Sequence, residues 1–255
     1  MIQLEAVRIL LSATMLGYAS WSDLRTREVS DLTWIVFGAP GLLMDVYEVA
    51  AGKVSPLNLA VPVLFSSALS FALGYLGLFG GADFKAFVAL AVLQPYPPRL
   101  IRPVLGVVSV VYPLTVFSNS ALAGASFGLV LLFRNMSAAR RGSPLFEGHE
   151  SEAPWRKLII LFSGVRVRLE SVRGPPFQYP LEVPAEEGGR RLVLMPDIED
   201  DEAAAEVFGR LRRDGVAEVW VSHTLPFLVF IALGYAVSLL VGDVAIWALG
   251  LILSQ

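Results

Sequence analysis

Charge is spread very unevenly along this chain. Several stretches of about twenty residues carry almost none, while most of it crowds between Arg134 and Ser222. An apolar run of about twenty residues has the length of one bilayer crossing in helical form. The whole chain of 255 residues is 55% hydrophobic and 17% charged, with a mean hydropathy of +0.62. That exceeds what a soluble domain needs for one core. The fold class read from this pattern is an α-helical polytopic membrane protein with one small α+β domain inserted before the last helix.

Apolar stretches predict spans at Leu4–Ser22, Leu32–Val49 and Leu57–Phe79, a short one at Phe84–Leu93, a long one from Pro103 to Phe133, and a last one from Leu225 to Leu253. This makes six crossings, the long fifth stretch accommodated by tilt or by a kink at Pro113. The first stretch lacks a small-residue cleavage site and is read as a retained span. The domains are then 1–133 (five spans), 134–222 (the polar insert) and 223–255 (the sixth span). Within the insert, Leu158–Phe162 and Val165–Leu169 read as strands, the second alternating Val165, Val167 and Leu169 with charged residues. Arg191–Met195 and Val219–Val221 are further short apolar runs. Asp200–Arg213 reads as a helix, acids first and arginines last, as the helix dipole favours. Residues 140–154 read as a linker.

Some function classes drop out early. A net charge of −3 does not suit a nucleic-acid surface. There is no cysteine, which removes disulfides and thiol chemistry, and only two histidines, His149 and His223, which disfavours a zinc site. No cofactor is expected, and the sequence sets no oligomeric state. Basic residues near span ends tend to stay cytoplasmic. Counting Arg25, Arg27, Lys85, Arg134, Arg140 and Arg141 on one face, against Arg8, Lys53, Arg99 and Arg102 on the other, puts the first face and the insert in the cytoplasm.

Two aspartates then share that face. Asp23 lies in Ser22-Asp23-Leu24-Arg25 and Asp83 in Gly80-Gly81-Ala82-Asp83-Phe84-Lys85. Two close carboxylates do not both ionise readily, so one keeps a proton and the pair works as base and acid together. The ionised member takes a proton from water attacking a peptide carbonyl, and the protonated member hydrogen-bonds the carbonyl oxygen. The bland reading of any single aspartate here, Asp31 included, is a helix cap, with Arg25, Arg27 and Lys85 as anchors at the lipid boundary.

Taken together, the blocks resemble the archaeal prepilin and preflagellin (archaellin) peptidases of the type IV prepilin peptidase group of membrane aspartyl proteases. Ser22-Asp23-Leu24-Arg25-Thr26-Arg27-Glu28-Val29 is similar to that family's first block. Gly80, Gly81, Asp83, Phe84 and Lys85 resemble its Gly-x-Gly-Asp-x-Lys block, with Ala82 where the second glycine is usual. Leu225-Pro226-Phe227-Leu228 is similar to the opening of its last helix. The resemblance implies that Asp23 and Asp83 form the catalytic pair, with Gly80, Gly81, Ala82, Lys85, Arg25 and Arg27 in support. It implies no metal, a cell-membrane location with the site facing the cytoplasm, and pilin-like or archaellin preproteins with short basic leaders as substrates. Acidic runs at Glu186-Glu187 and Asp197–Glu202 are candidates to hold such a leader.

Three rival readings stand beside this one. Gly124-Ala125-Ser126-Phe127-Gly128 with His223 suggests a serine-type membrane protease, although small residues within a span usually serve helix packing. Asp45 and Asp243, inside predicted spans, suggest a proton-coupled transporter. The insert could instead dock partners in a non-catalytic scaffold.

Overall fold

A computed structural model describes residues 2–185, 189–198, 200–222 and 226–254. The chain divides into two compact units, Met1–Gly124 with Leu225–Gln255, and Ala125–Thr224.

The first unit contains α1 (Ile2–Thr26), α2 (Asp31–Ala50), α3 (Pro56–Tyr75), α4 (Gly81–Leu93) and the first half of α5 (Tyr112–Arg140), together with α8 (Phe227–Leu240) and α9 (Val244–Leu253). Each long helix buries a stripe at helical spacing. On α1 this is Arg8, Ser12, Met15, Leu16, Ala19 and Ser20, and on α2 it is Thr33, Trp34, Gly41, Met44 and Asp45. α4 is buried on nearly every side, packed by α1, α2, α3 and α8. Gly41 permits its close approach to α2, since a Cβ there would stand 3.2 Å from the Leu93 backbone.

Three helices, α2, α3 and α5, are long and apolar enough to cross a membrane, and the α8–α9 pair is a fourth if read as one bent span. Among the described residues three or four spans are thus supported by length and apolarity, and the expected six are not confirmed. α4 has 13 residues, about 20 Å of rise, against a hydrocarbon core of about 30 Å. Two expectations are corrected here. Pro113 does not bend a long fifth span; it sits in the first turn of α5, where its missing N–H breaks no helical bond, and residues 103–111 are irregular. The last span is broken, turning by 59° between α8 and α9. Gly242 takes φ of +108° at the break, and Asp243 caps α9 by accepting the Ile246 N–H at 3.0 Å. The freed backbone is satisfied by the irregular segment: Val104 and Leu105 donate to Leu240 and Val241, and Asp243 donates to the Val107 carbonyl. Inside a bilayer such satisfaction is obligatory.

The second unit holds the rest of α5, α6 (Pro154–Ser163), β1 (Gly164–Arg168), β2 (Glu182–Pro184), β3 (Arg190–Leu192), α7 (Asp201–Arg213) and β4 (Glu218–Ser222). β1 pairs antiparallel with β4, Val165 opposite Val221, and β2 pairs with β3. β4 is buried on both faces: Val219 and Val221 join one apolar cluster with Phe208 and Leu211, while Trp220 joins another with Ile160, Leu181 and Leu192. α7 bears out its expected helix, with Asp200 as the N-cap. Leu158–Phe162, expected as a strand, is instead part of α6. The apolar residues Trp155, Leu158, Ile159 and Phe162 recur at the 3.6 period of one helix face, and Pro154 occupies the first turn. Residues 141–153 form no helix or strand, yet buried His149 fastens them to β2, its Nε2 lying 2.9 Å from Glu182.

Candidate active site

Asp23 lies in the last turn of α1, half-buried and three residues beyond buried Ser20. The turn behind it is unusual. Arg27 adopts φ of +60°, the left-handed position that glycine normally takes after a helix, and donates its N–H to the Asp23 carbonyl at 3.0 Å. The hydroxyls of Ser22 and Thr26 both bond the Glu28 carbonyl, at 2.8 and 3.1 Å. Together these contacts close the chain back toward α2, and the Arg27 guanidinium lies within charge range of the Asp23 carboxylate.

Asp83 sits in the first turn of α4. Its Oδ2 accepts the Gly80 N–H at 3.0 Å, so the capping reading is correct as far as it goes. A Cβ at Gly80 would make ordinary contact with that oxygen at 3.4 Å, and Gly81 has open space around it. Ala82 packs its methyl on the apolar cluster of this unit. Among the described residues, only one Asp83 oxygen has a protein hydrogen bond.

The fold brings these two side chains together. α1 ends where α4 begins, the helices pack on one another, and Asp23 lies near enough for its charge to act on Asp83. Lys85 points elsewhere, to Asp31 at 2.5 Å, tying the start of α4 to the start of α2. Arg25 is exposed, its guanidinium 5.4 Å from the Trp21 ring centre. Sequence reading missed the aromatic bed under the Asp83 turn. Phe79 stacks on Phe87 at 5.4 Å and meets Phe227 at 5.2 Å and Phe117 at 6.1 Å. Four phenylalanines from four places in the chain share no motif that would announce this.

Residues 10–129, which contain both aspartates, match the type IV leader peptidase family, and residues 156–244 match the archaeal peptidase A24 C-terminus, type II. The chain carries a type IV leader peptidase region at residues 10–129. It is 24% identical to a preflagellin peptidase of Methanococcus maripaludis over 93% of this chain and 96% of that one. It is likewise 24% identical to a preflagellin peptidase of Methanococcus voltae, over 88% and 91%. A prepilin peptidase of Methanothermobacter thermautotrophicus is 31% identical over 54% of this chain and 38% of its own length.

The other candidates fare differently from the pair. Ser126 lies on an uninterrupted stretch of α5, without the strand-to-helix turn of a nucleophile elbow, and His223 lies outside the described residues. Asp45 is buried and held by Arg8 at 2.7 Å, and Asp243 serves as the α9 cap, also accepting the Ser118 hydroxyl at 3.1 Å. In the acidic run, Asp200 caps α7 and Asp201 accepts the Tyr179 hydroxyl at 2.7 Å; Glu186, Glu187 and Glu199 lie outside the described residues. No group of three or more His, Asp or Glu among the described residues is placed to hold a metal ion.

Proposed function

We propose that this protein is a membrane aspartyl endopeptidase that removes the short basic leader from pilin-like or archaellin preproteins at the cytoplasmic boundary of the membrane. The observation that carries the proposal is the placement of Asp23 in the last turn of α1 and Asp83 in the first turn of α4, sixty residues apart, on two helices that pack together. The names of the relatives, preflagellin and prepilin peptidase, supply the substrate class.

In this reading one carboxylate is ionised and deprotonates a water held between the pair, and the other donates its proton toward the scissile carbonyl. The Gly80 N–H holds one Asp83 oxygen and leaves the other for water or substrate. Burial raises the pKa of the Asp23 carboxyl above its ordinary range, and the positive charge of nearby Arg27 offsets part of that rise. A preprotein whose apolar helix lies in the bilayer holds its leader junction at the interface, so membrane anchoring itself does much of the positioning. The count of basic residues along the sequence supports the cytoplasmic side.

Purified protein mixed with a panel of basic-leader preproteins, with the products mapped by mass spectrometry, tests the assignment. A single cut between leader and apolar segment is expected; intact preproteins throughout the panel contradict it.

A further inference from the structure

The end of the first unit away from the aspartates holds a second constellation. Arg8 is fifteen residues before Asp23 on α1, about 22 Å down that helix. It is 3% exposed and donates to Asp45 at 2.7 Å, to Glu48 at 2.9 Å and to the Val92 and Leu93 carbonyls that end α4. Beside it opens a cavity of about 810 Å³ between the end of α2, the start of α3 and the turn after α4.

The carboxylates beside this cavity each accept hydrogen bonds, while two of its cations lack a carboxylate partner among the described residues. Asp45 and Glu48 are engaged by Arg8. Glu5 accepts the Arg99 and Leu100 backbone N–H groups, both at 3.1 Å. Lys53 and Arg99, by contrast, have no carboxylate partner among the described residues; the Lys53 Nζ lies 3.3 Å from the Tyr47 hydroxyl. Two buried polar atoms, the Tyr96 hydroxyl and Arg8 Nε, have no hydrogen-bond partner among the described residues, and both can donate. Buried donors are seldom left unpaired. The start of α3, capped by Ser55, adds the positive end of a helix dipole. The remaining wall is apolar, including Leu57, Val61 and Val111.

Two free cations, two unpaired donors and a helix N-terminus call for an anion, and the apolar wall calls for hydrocarbon attached to it. α2 and α3 are both long and apolar enough to span, so the turn joining them lies at headgroup depth. We propose that this cavity binds an anionic phospholipid from the leaflet opposite the aspartates, its phosphate between Lys53, Arg99 and Tyr96 and its acyl chain along Leu57, Val61 and Val111. The site is independent of the peptidase reading, since none of its residues belongs to the Asp23–Asp83 end.

The test uses the full-length protein in a neutral detergent, titrated with phosphatidylglycerol, with phosphatidylcholine and with inorganic phosphate, and followed by native mass spectrometry and thermal unfolding. Phosphatidylglycerol should be retained and should raise the melting temperature, while the other two should do neither. The Lys53→Gln/Arg99→Gln double variant alters exposed side chains only; its lipid-free melting should be unchanged and its phosphatidylglycerol binding weakened about tenfold or more. Equal binding of phosphatidylcholine, or undiminished binding by the double variant, overturns the proposal. A melting shift of the same size with inorganic phosphate overturns it too, and makes the cavity a small-anion site.

Discussion

Lys85 Nζ stands 2.5 Å from the Asp31 carboxylate, so the residue two places after Asp83 is fastened to the first residue of α2. Both side chains are largely exposed, at 42% and 72%, and such pairs contribute about 0–1 kcal/mol. Lys85→Ala and Asp31→Ala should therefore each leave thermal stability nearly unchanged. Cleavage should fall several-fold in both, through looser placement of the Asp83 turn, and the double variant should be no worse than either single one. Additive losses in a kinetic comparison would show that the two residues act separately.

Arg27 is the one described non-glycine residue with positive φ. Such a conformation costs about 1 kcal/mol or more, and glycine adopts it freely. Arg27→Gly should raise stability by up to about 1 kcal/mol while lowering activity, because the guanidinium near Asp23 is lost. Unfolding and cleavage measured on one preparation check the opposite signs; a variant both less stable and fully active contradicts this role.

The buried Arg8–Asp45 pair should behave in the reverse way. Removing one member of a buried ion pair costs about 3–5 kcal/mol, and here the α4 carbonyls would lose their donor as well. Arg8→Met should lower the unfolding midpoint markedly, and proteoliposomes of the native protein should show no proton flux, since Asp45 is engaged in structure. Flux abolished by Asp45→Asn would restore the transport reading.

Ser126→Ala should leave cleavage and stability unchanged, the position lying on an unbroken helix. Loss of cleavage in a folded Ser126→Ala variant, read from a product time course, would favour the serine mechanism.

What the sequence made legible follows from how local the signal is. Asp23 and Asp83 were readable because each lies in a short block at the end of an apolar run, and α7 because its charge order and its Asp200 cap sit within one helix. The α8–α9 break was carried by two residues, Gly242 and Asp243, a helix stop followed by a cap, and it was masked by the apolar residues on either side. α6 was misread because five apolar residues in a row satisfy strand and helix alike; the period shows only when Trp155 is included. The partner of Lys85 and the phenylalanine bed beneath Asp83 are contacts across dozens of residues, which no local pattern encodes.

The most direct measurement compares the native protein with Asp23→Asn and Asp83→Asn, each purified in detergent and incubated with one cleavable preprotein. Asparagine keeps the shape and, at position 83, can still accept the Gly80 N–H, so both variants should fold and be expressed normally. Neither should yield detectable product, because an amide cannot serve as the base or as the acid. Full cleavage by either variant would contradict the carboxylate pair on which the whole account rests.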